Sequence, residues 1–203
     1  MKKTIFFLAA LTAALTFASC DKNNGNNGGD TGTEVSIEAT KTGQWHYFSF
    51  AQNQELGVAD DSDTSWKERT DWDIAINKYS IRTNSGDSTT SGQGGVYTCE
   101  AGVTFASLTA VPAGATFEAD KTVTETGMGG ETTTTKSTAT VIQFQLDANG
   151  DKVMPPVYLP SPVYIFRSAD GSKHYKVSFT QYQGIGADGA TVSGRVKFTY
   201  AEL

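Results

Sequence analysis

The sequence is short of the residues that most often carry chemistry. Its 203 residues include 2 His, 2 Cys and 3 Met, and 19% of the positions are charged, below the roughly 25% of an average globular chain. Two cysteines cannot form a disulfide framework or a four-cysteine zinc site. The formal net charge is -6, whereas nucleic-acid-binding proteins typically carry an excess of basic residues. We therefore expect no nucleic-acid partner.

The apolar stretch at residues 5–17 is too short to cross a bilayer. It follows Lys2 and Lys3 and precedes the small residues Ala18 and Ser19, which stand directly before Cys20. This order is typical of a lipoprotein signal, so we predict a signal peptide at residues 1–19 and lipidation of Cys20. An ordinary secretory signal with an incidental cysteine is the alternative. Because the mature chain is acidic, its membrane attachment would depend on the acyl chains at Cys20.

A polar segment separates Cys20 from the first apolar pattern. Residues 20–33 are rich in Gly, Asn and Asp and contain nothing that could pack in a core. Such a composition favours a flexible tether. We therefore predict the folded domain at residues 34–203.

Apolar and polar residues alternate with a period of two through most of this domain, for example at residues 72–76, 141–146 and 195–200. This alternation predicts strands with one solvent-exposed face. No amphipathic pattern of helical length is present, and only short turns are expected near residues 104–108 and 52–56. The sequence therefore predicts an all-β fold of antiparallel sheets in a sandwich-like or curled arrangement.

Turn residues place two hairpins in the second half of the chain. Asp170 and Gly171 supply the backbone conformations of a tight turn between strands at 163–167 and 173–182. A second hairpin is predicted to turn through residues 184–189. This segment reads G-x-G-x-x-G, but it leads into a strand where a dinucleotide-binding motif must open a helix, so we interpret it as a hairpin loop.

Other motifs do not support an enzyme or a metal site of a familiar kind. Residues 147–151 resemble the start of a calcium loop, but Lys152 replaces the required glycine and Tyr158 replaces the bidentate glutamate, so a turn is expected. His46 and His174 are predicted on strand faces, with a ligand role as the alternative. The sequence contains no nucleophile or zinc-hydrolase motif, and we expect no enzymatic activity.

The sulfur-containing residues of the mature chain are few. Cys99 is predicted to be a buried, unreactive thiol. Met128 lies in a Gly-rich loop between Thr-rich arms that predict a projecting hairpin, and Met154 lies before two prolines. Neither stands in a strand interior, so each could be incidental, or the two thioethers could bind a flat, iron-containing ligand from opposite faces.

Three short runs follow one another in the first half of the domain: T-D-W-D-I-A-I at residues 70–76, I-R-T-N-S-G at 81–86 and G-Q-G-G at 92–95. Together they resemble the HmuY family of haem-binding surface lipoproteins of Bacteroidota. The order of the other features, from the lipidation motif to the β-rich second half, fits this family over nearly the whole mature chain. The runs themselves read as scaffold, an alternating strand followed by a Gly/Ser loop.

The resemblance implies that projecting hairpin loops form a slot for one haem b. Relatives bind haem through two histidines or two methionines, and this sequence fits the methionine pattern, with Met128 and Met154 as axial ligands and their sulfurs within roughly 5 Å of each other. It further implies a lipid-anchored protein at the cell surface of the outer membrane, which takes haem from host haem proteins and passes it to a TonB-dependent transporter. Release from the cell stays open.

Thioether ligation predicts stronger binding of ferrous than of ferric haem. A different class of function remains as the alternative, namely a surface adhesin or glycan-binding lipoprotein that has kept the scaffold without the haem. Its sugars would stack on aromatic residues such as Tyr158, Tyr164 and Tyr182.

Overall fold

The computed structural model describes residues 32–127 and 130–203. The predicted signal peptide, Cys20, nearly all of the predicted tether and Met128 lie outside these residues. None of the helices in the described part is long and apolar enough to cross a membrane.

The regular secondary structure of the described residues is almost entirely β, and the strands all pair in antiparallel fashion. In chain order the strands are β1 (Thr33–Glu38), β2 (Gln44–Ser49), β3 (Gln54–Asp60), β4 (Ile74–Asn77), β5 (Ser80–Thr83), β6 (Gly95–Thr98), β7 (Lys121–Gly127), β8 (Gly130–Lys136), β9 (Ile142–Phe144), β10 (Tyr158–Pro160), β11 (Tyr164–Arg167), β12 (His174–Ile185) and β13 (Thr191–Glu202). Short 3₁₀ helices lie at Ser65–Glu68 and Gly86–Ser88.

Two larger sheets form a sandwich. One has the order β1-β13-β12-β11-β6 and the other the order β3-β2-β4-β5. Their facing side chains share one hydrophobic core, to which the first sheet contributes Phe166 and Phe198 and the second contributes Phe48 and Ile76. The prediction of an all-β, sandwich-like fold is confirmed.

A buried carboxylate joins the two sheets. Asp73, just before β4, accepts hydrogen bonds from the backbone N–H of Phe50 at 2.8 Å and from the backbone N–H of Ala169 at 3.0 Å. Ala169 lies in the turn between β11 and β12, and burial raises the pKa of Asp73 against the effect of these bonds. The bonds satisfy two backbone donors that would otherwise be buried without a partner.

The prediction of one solvent-exposed face is confirmed for β13 and wrong for β4. In β4, both the Ile74 face and the opposite face of Ala75 are buried. The cause is a second hydrophobic cluster on the outer side of the sheet, where Trp66 of the first 3₁₀ helix stacks on Tyr47 with ring centroids 3.9 Å apart. Alternation of residue types does not reveal such a cover.

The predicted hairpins are present. β11 and β12 are joined through the Asp170 turn, in which Gly171 has a φ of 75°. β12 and β13 are joined through the G-x-G-x-x-G segment, which is a hairpin loop as interpreted. The turn near residues 104–108 is present, with a backbone hydrogen bond from Leu108 to Thr104, whereas the turn expected at 52–56 ends at residue 53, directly before β3 begins at Gln54.

Two smaller two-stranded sheets complete the fold. β7 and β8 pair from Lys121 with Lys136 to Gly127 with Gly130, which confirms the predicted Thr-rich hairpin. β9 and β10 form the other. The strand predicted at 141–146 ends at Phe144, and Leu146 is 55% exposed, because the chain leaves the sandwich there to form a projecting segment.

Candidate functional site

A cleft lies between the β7–β8 hairpin and the sandwich, beside the segment that joins β9 to β10. We call the β7–β8 hairpin and the segment from β9 to β10 (residues 142–160) the two site arms. The cleft has a volume of about 790 Å³ and is lined by Thr132 and Thr134 of one arm and by Lys152 of the other, with Tyr79 and Tyr182 of the sandwich beneath them. This volume is within the roughly 300–1,000 Å³ typical of small-molecule and cofactor sites.

Four aromatic rings form a connected cluster, and two of them, Tyr79 and Tyr182, line the cleft as its aromatic floor. The Tyr79 ring meets Phe144 edge-on at 5.1 Å between centroids, and Tyr158 meets Phe144 at 5.6 Å and Tyr182 at 5.4 Å. Such edge-to-face contacts fix the rings in a preferred geometry. Burial raises the pKa of Tyr182, so its hydroxyl group stays neutral near pH 7. A planar, largely apolar ligand would therefore find an aromatic floor.

The charged groups of the cleft lie on both arms. The Lys152 ammonium nitrogen is 4.1 Å from the centroid of the Phe144 ring. On the facing arm, the Lys136 ammonium pairs with the Glu125 carboxylate at 2.7 Å. The cleft is thus lined by three lysines, Lys78, Lys136 and Lys152, against one carboxylate, Glu125, an arrangement suited to a ligand that has both aromatic and acidic parts.

The β7–β8 arm is polar on its surface. Across its strands the hydroxyl groups of Thr122 and Thr135 are 2.9 Å apart, as are those of Thr124 and Thr133. Cross-strand pairs of this kind stabilise a hairpin that has no core of its own. The arm therefore depends on contacts at its root for its position.

A buried carboxylate fixes that root. Asp120, directly before β7, is 2% exposed and accepts hydrogen bonds from the Thr83 backbone N–H at 2.9 Å, the Thr83 hydroxyl at 2.6 Å and the Ser88 hydroxyl at 2.6 Å. Burial raises the pKa of Asp120 to about 6, although these bonds act in the opposite direction. Gly86 packs so closely that a Cβ atom there would collide with the Asp120 carbonyl oxygen.

The I-R-T-N-S-G run at residues 81–86 contacts the β7–β8 arm at its root. Thr83 and Gly86 hold Asp120, and Arg82 donates from Nε to the Thr135 carbonyl oxygen of β8 at 2.7 Å. The Arg82 guanidinium also lies over the Trp45 ring, 3.8 Å from its centroid. The run therefore anchors both strands of the β7–β8 arm to the sandwich.

The structure describes one of the two predicted ligand residues, Met154. Met154 is on the surface, 69% exposed, two residues beyond Lys152 on the second site arm. It is not among the residues that line the cleft. Met128 falls at the tip of the β7–β8 arm in sequence but lies outside the described residues, so the predicted distance between the two sulfurs stays a prediction.

The remaining sequence candidates occupy structural positions. His46 is buried on β2 with its Nδ1 2.9 Å from the Glu55 carboxylate, and His174 begins β12 against the Phe117 ring. Cys99 is buried, and burial raises the pKa of its thiol, which disfavours the reactive thiolate. Among residues 32–127 and 130–203, no group of three or more His, Cys, Asp or Glu side chains is placed to hold a metal ion.

The residues around the calcium-like run form a turn, as expected. The Asp147 carboxylate accepts from the backbone N–H groups of Asn149 and Asp151. Beyond the turn, Val153 donates to the Gln145 carbonyl oxygen, and Lys152 forms an isolated bridge with Leu146. These bonds shape the segment that carries Lys152 and Met154.

The sandwich, the two arms and the cleft between them define an all-β ligand-binding domain. Over residues 41–200 the chain matches the HmuY protein family. The chain therefore belongs to the HmuY family, a family of haem-binding proteins.

Solved structures agree with this assignment. A candidate HmuY-like haem-binding protein from Bacteroides vulgatus is 25% identical, with a TM-score of 0.57, and the match covers 82% of this chain and 89% of the other. A candidate lipoprotein from Bacteroides fragilis (22%, TM-score 0.56, coverage 86% and 91%) and the apo HmuY analog of Tannerella forsythia (20%, TM-score 0.51, coverage 84% and 97%) share the fold. Comparison with curated proteins gives no match.

Several residues of the site were not found by sequence reasoning. Tyr79, Phe144 and Lys152 meet at the cleft from distant points of the chain, and Asp120 meets Thr83 across 37 residues. Lys152 could have been noticed in the sequence, because it stands where the calcium-like run requires a glycine. Nothing in the local pattern around Tyr79 or Asp120 indicates these contacts.

Proposed function

We propose that this protein is a haem-binding lipoprotein that captures haem b in the cleft between its two site arms. One observation carries the proposal: a cleft of cofactor size is lined by two tyrosine rings and by three lysines against one carboxylate, and an exposed methionine lies near it on the arm that carries Lys152. Its chemistry matches the two parts of haem, an apolar macrocycle and two propionate groups. Membership of a haem-binding family supports the same ligand.

Met128 and Met154 are the proposed axial ligands. The exposure of Met154 supports this role, because its thioether is available to a ligand and is not occupied by core packing. Thioether sulfur is a neutral, soft donor with no proton to lose near pH 7, and it favours ferrous iron. Ferrous haem is therefore the form expected to bind more tightly.

The wider role is that of a non-enzymatic haem carrier. We propose that haem is taken from host haem proteins and passed to a TonB-dependent transporter, and that acyl chains on Cys20 anchor the protein at the surface of the outer membrane. The lipidation motif of residues 18–20 and the family relationship support this role. Lipidation can be checked directly by mass spectrometry of the mature N-terminus or by loss of membrane attachment in Cys20→Ser.

A titration with haemin tests the proposed binding. Wild-type protein should give a low-spin spectrum with sharpened α and β bands in dithionite, and weaker binding without it. Met128→Ala and Met154→Ala should each weaken binding at least about tenfold, because the loss of an outer-shell partner alone costs a metal site roughly 10–100-fold in affinity. Leu146→Ala is a matched control, because Leu146 is another exposed apolar residue of the same arm.

Two outcomes would contradict this proposal. A wild-type protein that gives no low-spin ferrous spectrum does not bind haem as proposed. A low-spin spectrum that survives the Met128→Ala, Met154→Ala double substitution excludes the methionines as the ligands.

The glycan-binding alternative is not favoured by the tyrosines named for it. Tyr164 is 2% exposed and lies in the core, so its face is closed to a sugar ring. Tyr182 lines the cleft proposed for haem and Tyr158 is 36% exposed, so the three tyrosines do not share one open surface.

A further inference from the structure

We propose that Lys152 recognises a carboxylate group of the ligand and so makes the cleft selective for an acidic porphyrin over a neutral one. This proposal rests on the proposed haem-binding function and deepens it. It assigns a selective role to a residue of the chain that is separate from the iron ligands.

The position of the Lys152 ammonium carries the inference. Its nitrogen is 4.1 Å from the centroid of Phe144 and 5.7 Å from that of Tyr79, and both Lys152 and Tyr79 line the cleft. The bridge between Lys152 and Leu146 fixes the backbone on the wall of the cleft. A flat ligand on the floor would therefore bring its edge to this ammonium.

Lys152 is the cation that the second site arm contributes to the cleft, opposite the β7–β8 arm. Lys136 is already paired with Glu125 across that arm at 2.7 Å. Among the described residues, no carboxylate lies within ion-pair distance of Lys152, whose contacts there are with π faces. A charge-assisted hydrogen bond to a carboxylate is roughly twice as strong as a neutral one, so an acidic ligand gains a partner that a neutral ligand lacks.

Lys78 is the comparison residue. It also lines the cleft, but it stands in the turn after β4 with a φ of 55°. No ring contact places its ammonium over the aromatic floor among the described residues. Lys41, which is exposed and does not line the cleft, is the control for a general loss of positive charge.

The experiment compares haemin with haemin dimethyl ester, in which both propionates are neutral. Binding is measured by Soret titration in wild type, Lys152→Gln, Lys78→Gln and Lys41→Gln. We expect wild type to bind haemin about three- to tenfold more tightly than the diester, the range for a partly exposed charge pair. Lys152→Gln should remove this preference by weakening haemin alone, and Lys41→Gln should retain it.

The outcomes separate the two proposals. If Lys152→Gln weakens both ligands equally, or leaves the preference intact, the Lys152 assignment is wrong while haem binding stands. If Lys78→Gln removes the preference instead, carboxylate recognition belongs to Lys78. If wild type binds neither ligand, both this inference and the proposed function are overturned. Urea unfolding of each variant confirms that the fold is intact.

Discussion

The sandwich and the site arms differ in what holds them together. The sandwich buries large apolar side chains completely, among them Trp45, Trp72 and Ile165 at 0% exposure. The arms expose theirs, as Leu146 and Met154 show, and the β7–β8 arm is joined by threonine pairs with no core beneath them. Burial of apolar area supplies most of the stability of a fold, so the arms can carry recognition residues at little cost to folding.

The two regions meet at the root, where the β7–β8 arm joins the sandwich. An isolated two-stranded hairpin is at best marginally stable in water, so the β7–β8 arm must take its position from Asp120 and Arg82. Substitutions at the root should therefore disturb both regions, and substitutions on either side of it should disturb one.

The largest effect is expected for Gly86→Ala. The new Cβ would collide with the Asp120 carbonyl oxygen, and the φ of 51° is unfavourable for alanine. We expect a loss of about 3 kcal/mol or more in the free energy of unfolding, measured by urea denaturation, and weaker haemin binding through the displaced arm. Gly114→Ala is the control, since Gly114 has a φ of 78° but open space around it.

For Gly114→Ala we expect only the cost of the backbone conformation, about 1 kcal/mol. Equal losses for the two variants would show that the contact between Gly86 and Asp120 does not restrict the root. An unchanged haemin affinity in a folded Gly86→Ala protein would show that the root does not position the arm.

The second effect is a pH dependence carried by Asp120. Burial raises its pKa from 3.8 to about 6 in the folded protein, so the folded state binds the proton more tightly than the unfolded state. The stabilisation from this proton is therefore complete below about pH 4 and is lost as the pH rises through 6. Relative to Asp120→Asn, wild type should lose up to about 3 kcal/mol between pH 4 and pH 7.

Urea denaturation of both proteins over this pH range measures that difference. Asp73, whose pKa is also raised by burial, titrates in both proteins and cancels in the comparison. A difference between wild type and Asp120→Asn that stays constant with pH would contradict the assignment of the titration to Asp120.

The sequence predicted much more of the sandwich than of the site. Alternation and turn residues are local signals, and they identified the β11–β12 and β12–β13 hairpins correctly. The second buried face of Ala75 was missed because its cover, Trp66, comes from a separate 3₁₀ helix. The residues of the cleft were missed for the same reason, since contacts such as that of Lys152 with Tyr79 depend on tertiary packing.

The family signature was also only partly interpreted from the sequence. The run at residues 81–86 was read correctly as scaffold, but its link to the site depends on Asp120, 37 residues beyond Thr83. A local run can identify relatives without revealing which distant element it holds. The methionine prediction came from the opposite kind of signal, an apolar residue placed where no core could receive it.

The smallest effect on stability is expected for Met154→Leu, which sharpens the contrast between the two regions. Met154 is 69% exposed, so the change removes no buried contact and the free energy of unfolding should stay within about 0.5 kcal/mol of wild type. Leucine keeps the apolar volume and removes the sulfur, so the ferrous low-spin spectrum should nevertheless be lost.

Ile76→Val, at a site with 0% exposure, should have the opposite effect, with about 1 kcal/mol lost in the free energy of unfolding and the spectrum retained. A Met154→Leu variant that unfolds more easily than Ile76→Val would mean that the second arm contributes to folding, and the separation of stability from recognition would fail.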